Sequence, residues 1–569
     1  MSVILSCARG HNASTTLMVD GEIIFYLEEE RLSRRKYDGA PLLGLMKAFE
    51  YVDKIDDLVI CHTHRNGPEL DWTGEDLYRG WVRKLSRNPD EDYKIHFIDT
   101  IHHELHAACG FLNSGFETAA CVIADGAGSF LQSDRFPGVA YEFETIFTAK
   151  YPVEFDTVYK HLGTRETVGI LDLTGENNYF LTEYPGNTKI YEAVTEYCGF
   201  SCIDAGKTMG LSPYGKENPE IPEFFRDGWG NREVFVPNYP NGARINIERY
   251  PILQEDIKNH KKGEYTEVQM DMAYAVQKQT EERMVELIRK AHEITNEKNI
   301  VVCGGYGLNC VANYKYLKEF PDLNIYCEPI SHDGGTSIGA AKYVYAQNTQ
   351  QESPVKQTSI YYGPQYNSES YEDYFEGLEV SDTSYDDVAK LIREGNIVTI
   401  FQGRSEGGPR ALGNRSILFD PTIEDGKDIV NAVKRREFFR PFACSILAEK
   451  VNDWFDLAGR EESPHMMYAV ECLPGVKEKI PSVIHVDGTC RIQTVTQDQN
   501  EHYYNLISAF EKLSEVPILF NTSFNLGGDP LVETIVDAIN TLHKSDIEYM
   551  YLPEIQKLVK VPNWWKRYL

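Results

Sequence analysis

No stretch of this sequence stays apolar for the roughly 20 residues that a membrane-spanning helix needs. With 42% hydrophobic and 25% charged residues, the profile is that of a soluble globular protein without a membrane partner. The opening Met1-Ser2-Val3-Ile4-Leu5-Ser6 carries neither the basic region nor the cleavage site of a signal peptide, so a cytoplasmic location is expected. Paired cysteines are missing as well. The twelve cysteines are scattered, and neither Cys198 and Cys202 nor Cys303, Cys310 and Cys327 have the CxxC spacing of a structural zinc site. Reduced thiols are expected. Positive charge is scarce: 57 Lys and Arg stand against 87 Asp and Glu, a formal charge of −30. That deficit argues against non-specific nucleic-acid binding over a broad surface, while leaving room for a local basic channel.

A chain of 569 residues is too long for one core, so two or three domains are expected. The apolar-poor stretch from Ala346 to Pro354 marks a linker, placed at 346–357, between a domain of residues 1–345 and one of 358–569. Residues 3–30 read as a β-hairpin opening turned at Asp20-Gly21, and the apolar run Ala119–Ala124 starts what looks like a second copy of it. Thr266-Glu267-Val268-Gln269 is a capping box that opens a long helix, followed by a buried strand at Asn299–Cys303.

The first domain gathers metal-ligating residue types. His102 and His106, four apart in a helical run, project from one face. Asp125 ends the strand at 119–124 and is followed by Gly126-Ala127-Gly128, the place where α/β sheets hold ligands. Two imidazoles and a carboxylate make a site for a divalent metal, and Asp333, at a Gly-rich helix entry, would be the fourth ligand. His11 is the titratable group of the polar loop Gly10–Ser14 with a pKa near neutrality, and so a candidate base. The glycines that follow the strand at 299–303, Gly304 and Gly305, with Asn309, form a nucleotide cradle. Ala205–Gly215 adds Lys207 and Gly210 without the order of a Walker loop. The charge run Glu28–Lys36 has two readings: a solvated helix face, or an anion path lined by Arg34, Arg35 and Lys36.

The second domain concentrates arginine beside glycine, which in a chain of −30 points to a phosphate-rich substrate. Gln402–Ser416 contains Arg404, Arg410, Asn414 and Arg415. Lys434 and Arg440 follow, then Arg491 in Asp487–Gln493, and Asn521, Ser523 and Asn525 after a strand.

Together these motifs resemble the O-carbamoyltransferases of nodulation-factor, cephamycin and aminoglycoside biosynthesis, nearly end to end. The carriers are the Gln402–Ser416 block, Arg436-Glu437-Phe438-Phe439-Arg440-Pro441-Phe442, Asp487–Gln493 and Asn521-Thr522-Ser523-Phe524-Asn525. The resemblance implies an α/β and α+β chain, with a duplicated actin-like (ASKHA) ATPase domain followed by a YrdC-like domain. It implies that the second domain turns carbamoyl phosphate and ATP, with Mg²⁺, into carbamoyladenylate. The first domain would pass the carbamoyl group to an acceptor hydroxyl. His102, His106, Asp125 and Asp333 would then hold Fe²⁺ or a similar divalent metal, and His11 would be the base. Gly126, Gly128, Lys207, Gly210, Gly304, Gly305 and Asn309 would bind the adenylate. Leu526-Gly527-Gly528-Asp529-Pro530 and Gly407-Gly408 depart from the family pattern.

The acceptor is either a small-molecule sugar or alcohol, or a hydroxymethylated pyrimidine in DNA that Arg34, Arg35 and Lys36 would face. A homodimer is the default expectation. Two alternatives stand beside this reading: an actin-like superfamily kinase or ATPase, and a non-catalytic nucleotide-binding partner of a tRNA-modifying assembly.

Overall fold

The computed structural model describes residues 2–63, 77–87, 92–237, 243–349 and 353–562. It divides into two units, one of Met1–Glu29 with Tyr37–Gln357, the other of Glu30–Lys36 with Thr358–Leu569. Glu30–Lys36, expected within a first domain of residues 1–345, groups instead with the second unit, whose main segment begins at Thr358. The preceding helix runs to Asn348, so the linker's first residues are helical, and residues 350–352 lie outside the described residues.

The first unit repeats one topology. Strands β1 (Val3–Ala8), β2 (Ser14–Val19), β3 (Glu22–Glu28), β4 (Asp57–Cys61) and β5 (Lys94–Ile98) form a sheet in the order β3-β2-β1-β4-β5. β1 pairs antiparallel with β2 and parallel with β4. After helix α1 (His102–Ser114) come β6 (Thr118–Ala124), β7 (Ala140–Lys150) and β8 (Glu154–Thr164). Helices α2 (Asn187–Tyr197) and α3 (Glu267–Thr295) precede β9 (Asn299–Cys303), α4 (Cys310–Glu319), β10 (Asn324–Cys327) and α5 (Gly335–Asn348). The second sheet runs β8-β7-β6-β9-β10 in its core, extended by the short strands Phe130–Leu131, Ile170–Asp172 and Tyr179–Thr182. Here β6 takes the place of β1: antiparallel to β7, parallel to β9. The second hairpin copy expected from Ala119–Ala124 is therefore present. The expected capping box is present too, with both reciprocal bonds between Thr266 and Gln269.

Helix α1 is apolar or histidine on nearly every face because it is buried all round. Leu105 packs with Ala340, Ala341 and Val344 of α5 against Ile4, Met18 and Val59 of the first sheet. Ala107, Ala108 and Phe111 pack on Cys121, Ile123, Val301 and Cys303 of the second. A helix enclosed in this way cannot present its histidines to bulk water, and His102 and His106 are 3% and 0% exposed.

The second unit is one ten-stranded sheet. Its elements are β11 (Glu379–Asp382), α6 (Tyr385–Arg393), β12 (Val398–Phe401), β13 (Arg415–Phe419), α7 (Gly426–Lys434), β14 (Ala443–Leu447) and β15 (Phe455–Asp456). β16 (Ala469–Cys472), β17 (Thr489–Val495), α8 (Glu501–Ser514), β18 (Ile518–Ser523), α9 (Ile535–His543), β19 (Tyr549–Leu552) and β20 (Lys557–Lys560) complete it. The strand order is β11-β20-β19-β12-β13-β18-β14-β17-β16-β15. In the centre Ala443 registers with both Arg491 and Asn521, and Ser445 with Gln493. Because alternate strand residues share a face, Arg491, Gln493, Ser445, Asn521 and Ser523 line one side of the sheet. No helix among the described residues is long and apolar enough to cross a membrane.

Candidate functional site

In the first unit, His102, His106, Asp125 and Asp333 converge, with one ligand atom from each lying within 4.8 Å of the others. Among the described residues this is the one group of three or more His, Cys, Asp or Glu side chains that does so. Helix α1 supplies the imidazoles one turn apart, the end of β6 supplies Asp125, and the loop into α5 supplies Asp333. The Nε2 atoms of His102 and His106 lie 3.0 Å apart. Asp125 Oδ2 is 3.5 Å from His102 Nε2, and Asp333 Oδ1 is 3.6 and 3.7 Å from the two histidines.

Burial disfavours charge on His102, yet the Asp125 and Asp333 carboxylates outweigh it and push the imidazole up to about 10. Both aspartates lie below the ordinary carboxylate range: burial opposes this, and the opposed histidines overcome it. Two nitrogens and two carboxylate oxygens around one point, carrying excess negative charge in a buried setting, fit Fe²⁺, Zn²⁺ or a similar divalent cation.

His11 is 49% exposed and places its Nδ1 3.6 Å from Asp333 Oδ2, at the open side of the cluster. Gly305 donates its N–H to Asp125 Oδ1 at 3.0 Å. Gly304 has φ +87°, and a Cβ there would lie 2.4 Å from the Ala124 carbonyl oxygen, so the close approach of this turn to β6 requires glycine.

Other residues singled out from the sequence for the adenylate are differently occupied. Asn309 caps α4 through Ala312 and exchanges two hydrogen bonds with Gln277. Lys207 pairs with Asp204 at 3.1 Å. Gly126 lies against the ion pair of Lys189 and Glu192, whose partners are 2.7 Å apart. Gly210 is buried in the short helix Ala205–Leu211.

Glu28–Arg31 are buried, so the solvated-face reading of the charge run does not hold for them. Glu28 pairs with His332 at 2.9 Å, and Glu29 accepts from the amides of Leu43 and Gly44. Arg34 donates to the carbonyl oxygens of Leu531 and Pro530 and lies 3.5 Å from Asp537, while Lys36 pairs with Glu30 at 2.7 Å. Arg35 is exposed.

In the second unit the structure sorts the arginines. Arg415, expected to bind phosphate, is fully buried and gives five hydrogen bonds to backbone carbonyls: Gln402, Gly403, Asn414 and, twice, Glu533. Its guanidinium also lies 3.8 Å over the Phe401 ring. It is a scaffold for the loop rather than a ligand group. Arg404 is likewise turned to the carbonyls of Tyr362 and Gly363, and Asn414 to Arg404 O. Arg410 is half-buried in the same loop.

Lys434, Arg440 and Arg491, by contrast, form a cationic cluster with Arg436, which the sequence reading passed over. Burial and then the neighbours Arg436 and Arg440 hold the Lys434 ammonium well below its usual range. Burial and then Arg440 and Arg491 do the same to Arg436. Lys434 Nζ donates to Ser523 O and to Asn525 Oδ1. On the neighbouring sheet face Asn521 donates to Ser445 Oγ at 2.9 Å, and its Oδ1 is buried without a hydrogen-bond partner. Arg491 Nε is in the same condition. Ser445 and Gln493 register with each other on the same face, where Gln493 alternates with Arg491 along one strand.

The carbamoyltransferase N-terminus family matches residues 71–342, and the carbamoyltransferase C-terminus family residues 389–557. The chain is 31% identical to the nodulation protein NolNO of Sinorhizobium fredii, over 98% of this chain and 80% of that protein. It is 28% identical to an uncharacterised protein of Methanocaldococcus jannaschii, over 97% of this chain and 98% of that one. Among solved structures, full-length HypF in its phosphate- and nucleotide-bound form is similar over 60% of this chain and 55% of its own, with a TM-score of 0.35 and 12% identity. Matches to both halves and a relative that spans nearly the whole length set aside the kinase and the non-catalytic alternatives: the chain belongs to the carbamoyltransferase family.

Proposed function

We propose that the chain is an ATP-dependent O-carbamoyltransferase whose second unit makes carbamoyladenylate and whose first unit spends it on an alcohol. The observation that carries this reading is the division of charge. One unit holds a buried anionic centre of two histidines and two aspartates. The other gathers Lys434, Arg436, Arg440 and Arg491, where burial and the neighbouring cations hold Lys434 and Arg436 well below their usual range. On this reading the first unit is actin-like and the second YrdC-like.

In the second unit, carbamoyl phosphate is hydrolysed to carbamate and phosphate. A carbamate oxygen then attacks the α-phosphorus of ATP, the bond to the β-phosphate oxygen breaks, and pyrophosphate leaves. Lys434, Arg436, Arg440 and Arg491 neutralise the phosphate charge, which ATP brings together with Mg²⁺. Asn521 Oδ1, buried beside Ser445 without a hydrogen-bond partner, offers an acceptor for the N–H of a carbamoyl group.

In the first unit, the acceptor oxygen attacks the carbamoyl carbon, its proton passes to His11, and the bond to the AMP oxygen breaks. His102, His106, Asp125 and Asp333 would hold the divalent cation, which supplies Lewis-acid polarisation of the bound adenylate. Asp333, with Oδ2 3.6 Å from His11 Nδ1, orients the imidazole. The acceptor is a small alcohol or sugar rather than hydroxymethylated DNA. What favours it is that Arg34 and Lys36 are turned onto backbone carbonyls and carboxylates.

The test is a transfer assay with carbamoyl-labelled carbamoyl phosphate, ATP and Mg²⁺ against aminosugars, simple polyols and hydroxymethylated duplex. Label on an alcohol with stoichiometric AMP supports the proposal. Label on the duplex alone would overturn the choice of acceptor, and ADP in place of AMP would overturn the reaction.

A further inference from the structure

His102 lacks the anchor that usually orients a metal-binding imidazole. Such a ring commonly donates its second N–H to a carboxylate, a carbonyl or water. Nδ1 of His102 is buried and has no hydrogen-bond partner, whereas Nδ1 of His106 has Cys303 Sγ 4.0 Å away. Apart from its Nε2 neighbours in the cluster, the His102 ring is therefore placed through its main chain.

There the structure is specific. The His102 amide is one of the N-terminal N–H groups that a helix cannot satisfy itself. It donates to Ser129 Oγ at 3.0 Å. The Ser129 amide donates to Glu142 Oε2 at 2.8 Å, and Lys160 donates to Glu142 Oε1 at 2.5 Å. Ser129 also closes the loop that begins at Asp125. Asp125 N–H donates to Phe143 O at 3.0 Å and Gly128 N–H to Glu142 O at 2.9 Å, both on β7. One carboxylate on β7 thus holds the loop that carries Asp125 and, through one hydroxyl, the helix that carries both histidines. Ser129, Glu142 and Lys160 are 0%, 1% and 8% exposed. A buried ion pair contributes little net stability against an apolar pair of the same volume, so stability alone does not account for it.

We propose that Ser129 and Glu142 are positioning residues of the histidine–carboxylate centre, setting His102 and Asp125 in register for a divalent cation. The inference rests on reading that centre as a cation site.

The experiment is an anaerobic Co²⁺ titration of the full chain after chelator treatment, followed by the visible d–d bands, with melting of the metal-free forms alongside. Thr and Val have the same shape and differ by the hydroxyl, so Ser129→Thr and Ser129→Val separate the hydrogen bond from the added volume; Ser129→Ala completes the series. Ser129→Val and Ser129→Ala are expected to weaken Co²⁺ about 10- to 100-fold and to alter the bands. Ser129→Thr is expected to bind within a few-fold of the unchanged chain, with metal-free melting of the Thr and Val forms alike. Equal Co²⁺ affinity of the Thr and Val forms would overturn the positioning role while leaving the cation site standing. No Co²⁺ binding by the unchanged chain would overturn the cation site itself and the inference with it.

Discussion

His102 and His106 face each other with Nε2 atoms 3.0 Å apart, a separation at which both nitrogens cannot carry a proton without collision. The Asp125 and Asp333 carboxylates hold a proton on His102 in the metal-free centre, and a cation must displace it. With His102 held up to about 10, cation binding releases a proton throughout the neutral range, and affinity rises about tenfold per pH unit up to that value. A Co²⁺ titration between pH 6 and 8 checks this; a flat profile would contradict it.

The same groups set how the metal-free chain responds to pH. The raised His102 contributes stability in full below the unfolded value of about 6.5. It loses that contribution as pH climbs through about 10. The depressed Asp125 and Asp333 contribute above the ordinary carboxylate range and lose it as pH falls below that range. Melting of the chelated chain is thus expected to be highest between about pH 4.5 and 6.5 as far as this cluster is concerned. The bound cation should flatten the alkaline side of the curve.

Arg415→Ala is expected to damage folding before it damages catalysis. It would orphan the carbonyls that now accept five hydrogen bonds, at about 1–3 kcal/mol for each buried group left unsatisfied. Calorimetry should show a large drop in Tm. A wild-type Tm with lost activity would make Arg415 a ligand group after all.

Arg491→Ala should behave in the opposite way. Removing one member relieves the repulsion that depresses Arg436, so the substrate-free chain should melt at an equal or higher temperature. Inorganic pyrophosphate, which should raise the Tm of the unchanged chain, should have little effect on this variant. Undiminished stabilisation by pyrophosphate would remove Arg491 from the anion site.

Much of the first unit was legible because its signals are local. The four-residue spacing of His102 and His106, the acid ending an apolar strand at Asp125, and the capping box at Thr266 need no knowledge of tertiary contacts. The contacts that set the site were not legible. Ser129 and Glu142 are ordinary residues until strand register brings them to the amide of His102. The arginines show the same limit from the other side. In a Gly-rich loop Arg415 reads as a phosphate ligand, and only the fold reveals that backbone carbonyls take its donors. Arg436 opens the run Arg436–Phe442, but nothing local distinguishes a cation aimed into a cluster from one aimed at solvent.

Gly339→Ala tests how tightly α1 and α5 must approach. A Cβ there would lie 2.1 Å from Leu105 O and 3.0 Å from Cys109 N, both on α1. The helices would be forced apart, at about 1–3 kcal/mol. Because they carry or flank His102, His106 and Asp333, Co²⁺ affinity should fall together with Tm. A drop in Tm with unchanged affinity would separate the packing from the site.

The most direct test of the two-site account needs no acceptor. The chain is incubated with ATP, Mg²⁺ and carbamoyl phosphate, and pyrophosphate is followed for the unchanged form, Arg491→Ala and His11→Ala. The account predicts pyrophosphate release that depends on carbamoyl phosphate, falls about 100-fold or more in Arg491→Ala and persists in His11→Ala. Release of ADP instead, or equal loss in both variants, would contradict it.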